Sequence, residues 1–166
     1  MRENSSDRDK LATKSDQEFV FGSLFMIANR LQAMLDKEFQ PYGLTARQWF
    51  LSIIVGGLFE QPPTLGEAAA AMGSTHQNAK QLALKLEEKG FLEFLDDERD
   101  GRAKRLRLTE KSGEFWASMQ QSSERFMANL YKGMSPQEMS ALRGMLATIG
   151  WNIEDMGKGP DGDNRS

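Results

Sequence analysis

The chain has 166 residues, a formal net charge of −3 and a hydrophobic fraction of 39%, which suits one packed domain with short extensions. It contains no cysteine, which excludes disulfides, thiolate metal sites and cysteine-based redox switches. A pI near 5.3 argues against a protein that coats a polyanion with its whole surface, but it allows a small basic patch.

The two ends of the chain are polar. Residues 1–14 have mixed charge and lack the apolar centre of a secretory signal, so we expect a flexible segment there. Residues 157–166 are rich in Gly, Asp and Asn and predict a disordered tail. No apolar run approaches the ~20 residues of a membrane-spanning helix. We therefore expect a cytoplasmic protein that does not enter the membrane.

Helix-start signals recur along the first half of the chain. In a capping box, a hydroxyl and a carboxylate or amide three residues later each accept a hydrogen bond from the other's backbone N–H. Such pairs begin three predicted helices, at Ser15/Glu18, Thr45/Gln48 and Thr64/Glu67. Apolar residues follow at helical spacing, and the runs end at Pro41, Pro62-Pro63 and Gly73. A fourth helix is predicted between a Thr75 cap and the C-terminal Gly90.

The spacing of apolar residues changes after Gly90, from helical spacing to the pattern of strands. Residues 91–95 and 104–108 predict two short strands, joined by an eight-residue connection at 96–103. In the second strand the leucines at 106 and 108 face one way and the arginines at 105 and 107 face the other.

Two further helices are predicted at the C-terminal end. The first begins after Thr109 and continues to Tyr131, and Ser135-Pro136-Gln137-Glu138 begins the last. The whole order is a mainly α chain of six helices with a small β-hairpin. A short helix, a glycine turn, a longer helix and a hairpin together predict a winged helix-turn-helix.

The stretch "TLGEAAAAMGSTHQNAKQLALKLEEKG", residues 64–90, carries the candidate chemistry. Ala69 provides the small residue at which the two helices touch, and Gly73 with Ser74 provides the turn. Polar residues at the start of the next helix avoid its apolar face and are candidates for contact with a DNA major groove: Ser74, Thr75, His76, Gln77, Asn78, Lys80 and Gln81. Gln and Asn can bond adenine through two hydrogen bonds, and Lys can donate to guanine or phosphate. The alternative is a solvated polar helix face.

Residues 64–113 resemble the MarR family of bacterial winged-helix regulators. The resemblance lies in "KLEEKGFLE" at 85–93, "DERDGR" at 97–102 and "LRLTEKSG" at 106–113. "LTARQWFLSII", residues 44–54, also resembles the second helix of the family, and the whole resemblance spans residues 17–154.

The resemblance implies a homodimer that binds double-stranded DNA at a pseudo-palindromic operator, with repression as the usual mode. One helix of each subunit would enter the major groove and the wing would enter the minor groove. The wing arginine of the family maps to Arg102, and the aspartate that braces it maps to Asp100. Arg99 and Lys104 would contact flanking phosphates, as would Arg105 and Arg107. Residues 99–111 contain six cations and two acids, a local charge of +4.

Two positions depart from the family pattern. His76 and Ala71 stand where many members have an arginine in or before the helix that reads DNA. Specificity would therefore rest more heavily on Gln77, Asn78 and Gln81.

Members of the family often bind small aromatic or amphipathic molecules between the dimerisation helices and the DNA-binding lobe. The residues that would form such an effector pocket are Phe25, Trp49, Phe50, Trp116 and Met119. The alternative for each is hydrophobic core or dimer interface.

The expected division of the chain follows from these elements. Residues 15–44 form an N-terminal dimerisation helix, 45–109 the DNA-binding lobe and 110–156 the C-terminal dimerisation helices. No nucleophile–base or metal-ligand set is found, and His76 is the only histidine, so we expect neither an enzyme nor a cofactor. The competing interpretation is a winged helix that binds a protein without contacting DNA.

Overall fold

The computed structural model describes residues 15–97 and 103–157, which group into two compact units divided between Ala117 and Ser118. The described residues form seven α-helices, one 3-10 turn and one hairpin: α1 (Asp16–Phe39), the 3-10 turn (Gln40–Tyr42), α2 (Ala46–Gly57), α3 (Leu65–Ala71), α4 (His76–Glu88), β1 (Leu92–Asp96), β2 (Lys104–Leu108), α5 (Glu110–Ser118), α6 (Gln120–Leu130) and α7 (Pro136–Gly157). The predicted mainly α fold with a winged helix-turn-helix is confirmed.

The helices begin where their capping signals predict. The hydroxyls of Ser15, Thr45 and Thr64 each accept the backbone N–H three residues later, and the side chain at that later position completes the box. Ser135 and Glu138 do the same at the start of α7, with hydrogen bonds of 2.7 to 3.2 Å. These boxes satisfy N–H groups that have no partner within the helix, and for this reason short local patterns locate the helix starts.

The core of the first unit lies where α2, α3 and α4 meet the hairpin. Leu51 of α2, Leu86 of α4 and Leu106 of β2 are each 0% exposed. Small residues line the closest helix contacts, and Ala68 and Ala79 are likewise 0% exposed. Burial of these side chains orients α4, because its apolar face cannot turn to solvent without losing roughly 1.5–3 kcal/mol for each large side chain.

The turn between α3 and α4 depends on Gly73. Its φ of 58° lies in the left-handed region, which a glycine adopts without steric cost. The backbone N–H of Ser74 then donates to the carbonyl of Ala69 at 2.9 Å. Ala69 is 4% exposed, as expected for the small residue at this helix crossing.

A second glycine lets the chain leave α4 and enter the hairpin. Gly90 has a φ of 74°, and the Phe91 N–H donates to the Leu86 carbonyl at 2.9 Å. The hydroxyl of Thr109 donates to the Gly90 carbonyl at 2.7 Å and accepts the Ser112 N–H at 3.2 Å. Thr109 therefore caps α5 and holds it to the end of α4.

The predicted helix from Thr109 to Tyr131 is divided in two. α5 ends at Ser118 and α6 begins at Gln120, so Met119 separates them. Its ψ of −5° departs from the helical value near −42°, which interrupts the regular backbone hydrogen bonds although no glycine or proline stands there. This break gives seven helices in the described residues instead of the expected six.

Long helices occupy both units, and none of those in the described residues has the length and apolarity needed to cross a bilayer. α1 has 24 residues and α7 has 22.

Gly90→Ala is expected to destabilise the protein by roughly 1–2 kcal/mol, because a Cβ is strained at positive φ. Space is not the cause, since the nearest atom to such a Cβ would be 3.7 Å away. Urea unfolding of the two proteins gives the measurement. Gly113→Ala is the matched control within α5, where no atom lies within 4 Å and alanine should stabilise by up to about 1 kcal/mol. Equal effects at both positions would contradict this account of Gly90.

Glu67→Gln is expected to reduce the loss of unfolding free energy that the protein shows as the pH falls. Hydrogen bonds from the Thr64 N–H, at 2.6 Å, and from the Thr64 hydroxyl, at 2.9 Å, lower the pKa of Glu67 below its ordinary value of 4.5. A carboxyl with a lowered pKa stabilises the fold fully above its unfolded pKa, and this contribution is lost as the pH falls through the folded value.

The glutamine side chain of this variant can still accept the Thr64 N–H, as Gln48 accepts the Thr45 N–H at 2.9 Å, but it does not titrate. The free energy of unfolding, measured from pH 7 to pH 3, should therefore fall less in the variant than in the parent. Glu88→Gln provides the control at an exposed helix position outside the capping boxes. A profile for Glu67→Gln that matches both the parent and this control would contradict the prediction.

Candidate nucleic-acid interface

The exposed face of α4 carries most of the predicted groove residues. His76, Gln77, Asn78, Lys80 and Gln81 are exposed, and Thr75 immediately before them is exposed as well. The opposite face is buried, since Ala79, Ala83 and Leu86 are each 0% exposed. Gln77 and Gln81 are one helical turn apart and share a face, so their side-chain amides lie next to each other.

The start of α4 is held by a short polar chain. The Asn78 amide donates to the Ser74 hydroxyl at 2.7 Å, and the Asn78 N–H donates to the Thr75 hydroxyl at 3.2 Å. Arg47 of α2 donates to the same Ser74 hydroxyl at 3.5 Å. The side chain of Asn78 is therefore engaged by the turn, which leaves Gln77 and Gln81 as the amides of this face that are available for a ligand.

Sequence reasoning did not single out Arg47. The arginine follows the second capping threonine by two positions, in the segment "LTARQWF", where it reads as an ordinary helix residue. Only the packing of α2 against α4 brings its guanidinium to the helix-turn-helix turn. It supplies a cation beside α4 although positions 71 and 76 lack an arginine.

The cations of β2 are paired within the hairpin. β1 and β2 are antiparallel, with Asp96 opposite Lys104 and Glu93 opposite Arg107. Lys104 forms an ion pair with Asp96, and the Arg107 Nε lies 2.7 Å from the Glu93 carboxylate. These cross-strand pairs neutralise most of the charge that the sequence concentrates on this strand, so Lys104 is exposed but not unpaired.

Arg105 has a different environment from its neighbours. It forms an ion pair with Asp97, whose side chain is 5% exposed, and it donates to the Pro62 carbonyl at 2.6 Å. The guanidinium that we predicted to contact phosphate is therefore already bonded within the protein, at the end of the hairpin next to residues 98–102.

Three predicted site residues, Arg99, Asp100 and Arg102, lie outside the described residues. On either side of them, the Asp97 N–H donates to the Ala103 carbonyl at 3.2 Å. The wing probe and its brace remain predictions.

The structure brings two of the five residues predicted for an effector pocket, Trp49 and Trp116, to one aromatic group. The rings of Trp49 and Trp116 both pack on the buried Phe39, with centroids 6.0 and 5.8 Å away. The indole N–H of Trp116 is buried without an acceptor in the described part of the chain. Phe25 instead contacts Phe21 on α1, and it is 61% exposed.

The remaining two predicted pocket residues are Phe50 and Met119. Phe50 is 38% exposed on α2. Met119 belongs to the second unit. Trp49 and Trp116 are half-buried beside Phe39, and the effector pocket remains a prediction.

A separate cleft of about 450 Å³ opens beside the start of α2. Its lining comes from the end of α1, the 3-10 turn, the start of α2 and α4, with Asp36, Arg47 and Lys85 as the charged side chains. One oxygen of the Asp36 carboxylate accepts the Ala46 N–H at 2.7 Å. None of the five predicted pocket residues lines this cleft.

Comparison with known proteins gives one consistent fold. No protein-family model matches the chain. A MarR protein from Peptoclostridium difficile superposes with a TM-score of 0.74 at 17% identity, over 87% of this chain and 92% of that chain. The transcriptional regulator PA3341 superposes with a TM-score of 0.69 at 25% identity, over 81% and 98%. The S. aureus MepR–DNA complex gives 0.68 at 18% identity, over 84% and 99%.

These matches cover both units of the chain and nearly the full length of each relative. They agree with the motifs at residues 85–93, 97–102 and 106–113, on which the resemblance rested. This protein has the fold of the MarR family of winged helix-turn-helix transcriptional regulators.

Proposed function

We propose that this protein is a sequence-specific regulator that binds double-stranded DNA as a homodimer, most simply as a repressor in the cytoplasm. The observation that carries the proposal is the exposed polar face at the start of α4, which follows a tight turn and stands opposite a fully buried apolar face. A helix presented in this way can enter a major groove by its N-terminal turns.

Within that face, we assign base reading to Gln77 and Gln81. Each has an exposed amide with a donor and an acceptor, as adenine requires. Asn78 holds the turn through Ser74, so its contribution is to position the helix. Lys80 and His76 occupy neighbouring exposed positions and suit contact with phosphate or guanine.

Arg47 adds a phosphate contact that lies outside α4. Its guanidinium is beside the Ser74 hydroxyl, at the end of the helix where a groove-bound helix meets the DNA backbone. The wing would add Arg102 in the minor groove, oriented by Asp100, with Arg99 near the flanking phosphates. Lys104 contributes less than its charge suggests because of its pairing with Asp96.

The dimer is inferred from apolar side chains that neither unit covers. On α1, Phe21, Phe25 and Ile27 are 65, 61 and 54% exposed. On α7, Trp151 and Met156 are 65 and 82% exposed. Apolar surface of this extent marks an interface, and pairing of these helices between two copies would cover it.

Symmetry of such a dimer determines the operator. Two copies of α4 related by a twofold axis read an inverted repeat whose half-sites lie about one helical turn, ~10 bp, apart. A small aromatic or apolar effector that binds one arrangement of the subunits better than the other would release the DNA. The indole N–H of Trp116 without an acceptor would suit a hydrogen-bonding ligand near the two tryptophans.

The first test is binding of the purified protein to the promoter region of its own gene, by gel shift at several salt concentrations. Affinity should fall by about tenfold or more between ~50 and ~200 mM salt, because bound phosphates release counterions. Absence of binding at every concentration would contradict the proposal and favour the protein–protein module.

Gln77→Ala and Arg47→Ala should weaken DNA binding in different ways. Loss of the Gln77 amide should reduce discrimination at one base pair per half-site by about tenfold, with non-specific binding unchanged. Loss of Arg47 should weaken binding to all sequences alike and lower the salt slope by about one per subunit.

Lys85→Ala is the control for both variants, because it removes an exposed cation from the C-terminal half of α4, away from the helix start where Gln77 and Arg47 lie. Fluorescence anisotropy with operator and scrambled duplexes separates the outcomes. A uniform loss for Gln77→Ala, or an unchanged salt slope for Arg47→Ala, would show that the assigned roles are wrong.

A further inference from the structure

We infer that Arg105 and Asp97 are positioning residues that fix the wing relative to the helix-turn-helix, and that DNA affinity depends on them although neither contacts DNA. The inference rests on the proposed function for its DNA-binding part. It replaces the expectation that Arg105 is a phosphate contact.

The guanidinium of Arg105 joins three separate segments. It lies on β2, it pairs with Asp97 at the end of β1, and it donates to the carbonyl of Pro62 at 2.6 Å. Pro62 belongs to the segment that leads into α3. One planar side chain with several donors in fixed directions can make both contacts at once, which a lysine cannot.

Backbone contacts at the same place continue the connection. The Leu106 N–H donates to the Pro63 carbonyl at 2.8 Å, and Thr64 and Arg105 form an antiparallel bridge. Thr64 is also the cap of α3, so the residue that begins the helix-turn-helix is bonded to the strand that supports the wing. Motion of this part of the hairpin would therefore disturb the start of α3.

Burial distinguishes this ion pair from the other two in the hairpin. Asp97 is 5% exposed, whereas Asp96 and Glu93 are 77 and 42% exposed. An exposed pair contributes little to rigidity, but breaking a buried pair leaves an uncompensated charge and is costly. The Asp97 N–H also donates to the Ala103 carbonyl at 3.2 Å, so the described residues on either side of 98–102 are joined.

Asp97→Asn distinguishes positioning from phosphate contact by the sign of its effect. If Arg105 contacted phosphate, loss of a neighbouring negative charge would leave DNA affinity equal or higher. If the pair positions the wing, affinity should fall about tenfold, the scale of one lost groove contact per subunit. Asp96→Asn is the matched control, with the same charge change at the adjacent, exposed residue, and it should leave affinity equal or slightly higher.

Arg105→Lys gives an independent variant, since it keeps the charge but not the two-sided hydrogen bonding. Its affinity should fall with that of Asp97→Asn. In an Arg102→Ala background, Asp97→Asn should lower DNA affinity by a smaller factor, because the wing contact is already absent. A general destabilisation of the fold would lower affinity by the same factor in both backgrounds. Circular dichroism and gel filtration verify that each variant is folded and keeps its oligomeric state.

Hydrogen exchange provides a readout without DNA. Protection of the Leu106 amide should fall in Asp97→Asn and stay unchanged in Asp96→Asn. DNA affinity of Asp97→Asn equal to that of Asp96→Asn, or unchanged Leu106 protection, would overturn the inference. If the parent protein binds no DNA while the exchange difference is observed, the proposed function fails and the anchoring of the wing stands.

Discussion

The hydrogen bonds of a single residue, Thr109, connect the end of α4, the hairpin and the start of α5. Its hydroxyl donates to the Gly90 carbonyl at 2.7 Å and accepts the Ser112 N–H, while its own N–H donates to the Phe91 carbonyl at 3.2 Å. Each bond satisfies a backbone group at the end of an element. The motif "LEEKG" and the later "LT" belong together for this reason: the glycine presents the carbonyl that the threonine binds.

The hairpin shows how charge in the sequence differs from charge in the folded protein. Residues 99–111 carry a local charge of +4, but the acids paired with Lys104, Arg105 and Arg107 lie earlier in the chain, in β1 or directly after it. Antiparallel pairing brings Glu93 and Asp96 opposite their partners, and Asp97 is bonded to Arg105. The cations of β2 are thus held within the hairpin, and this strand has a structural role.

Much of the fold could be predicted because its signals are local. Capping boxes locate four helix starts, Gly73 and Gly90 mark two turns, and alternation of leucine and arginine marks β2. The break at Met119 could not be predicted, since no residue type there disfavours a helix. Candidate site residues on α4 were accessible to the same reasoning, because the apolar stripe of a helix identifies its exposed face.

The sequence by itself determined the order of the elements, the winged helix-turn-helix and the polar face of α4, because capping, periodicity and turn chemistry act within a few residues. Only the tertiary structure decided which polar groups of that region are free. Asn78 is engaged by Ser74, Arg47 arrives from α2, and Arg105 binds Asp97 and the Pro62 carbonyl 43 residues away in the chain. Such contacts depend on the packing of distant elements, and their energies cannot be assigned until burial and distance are known.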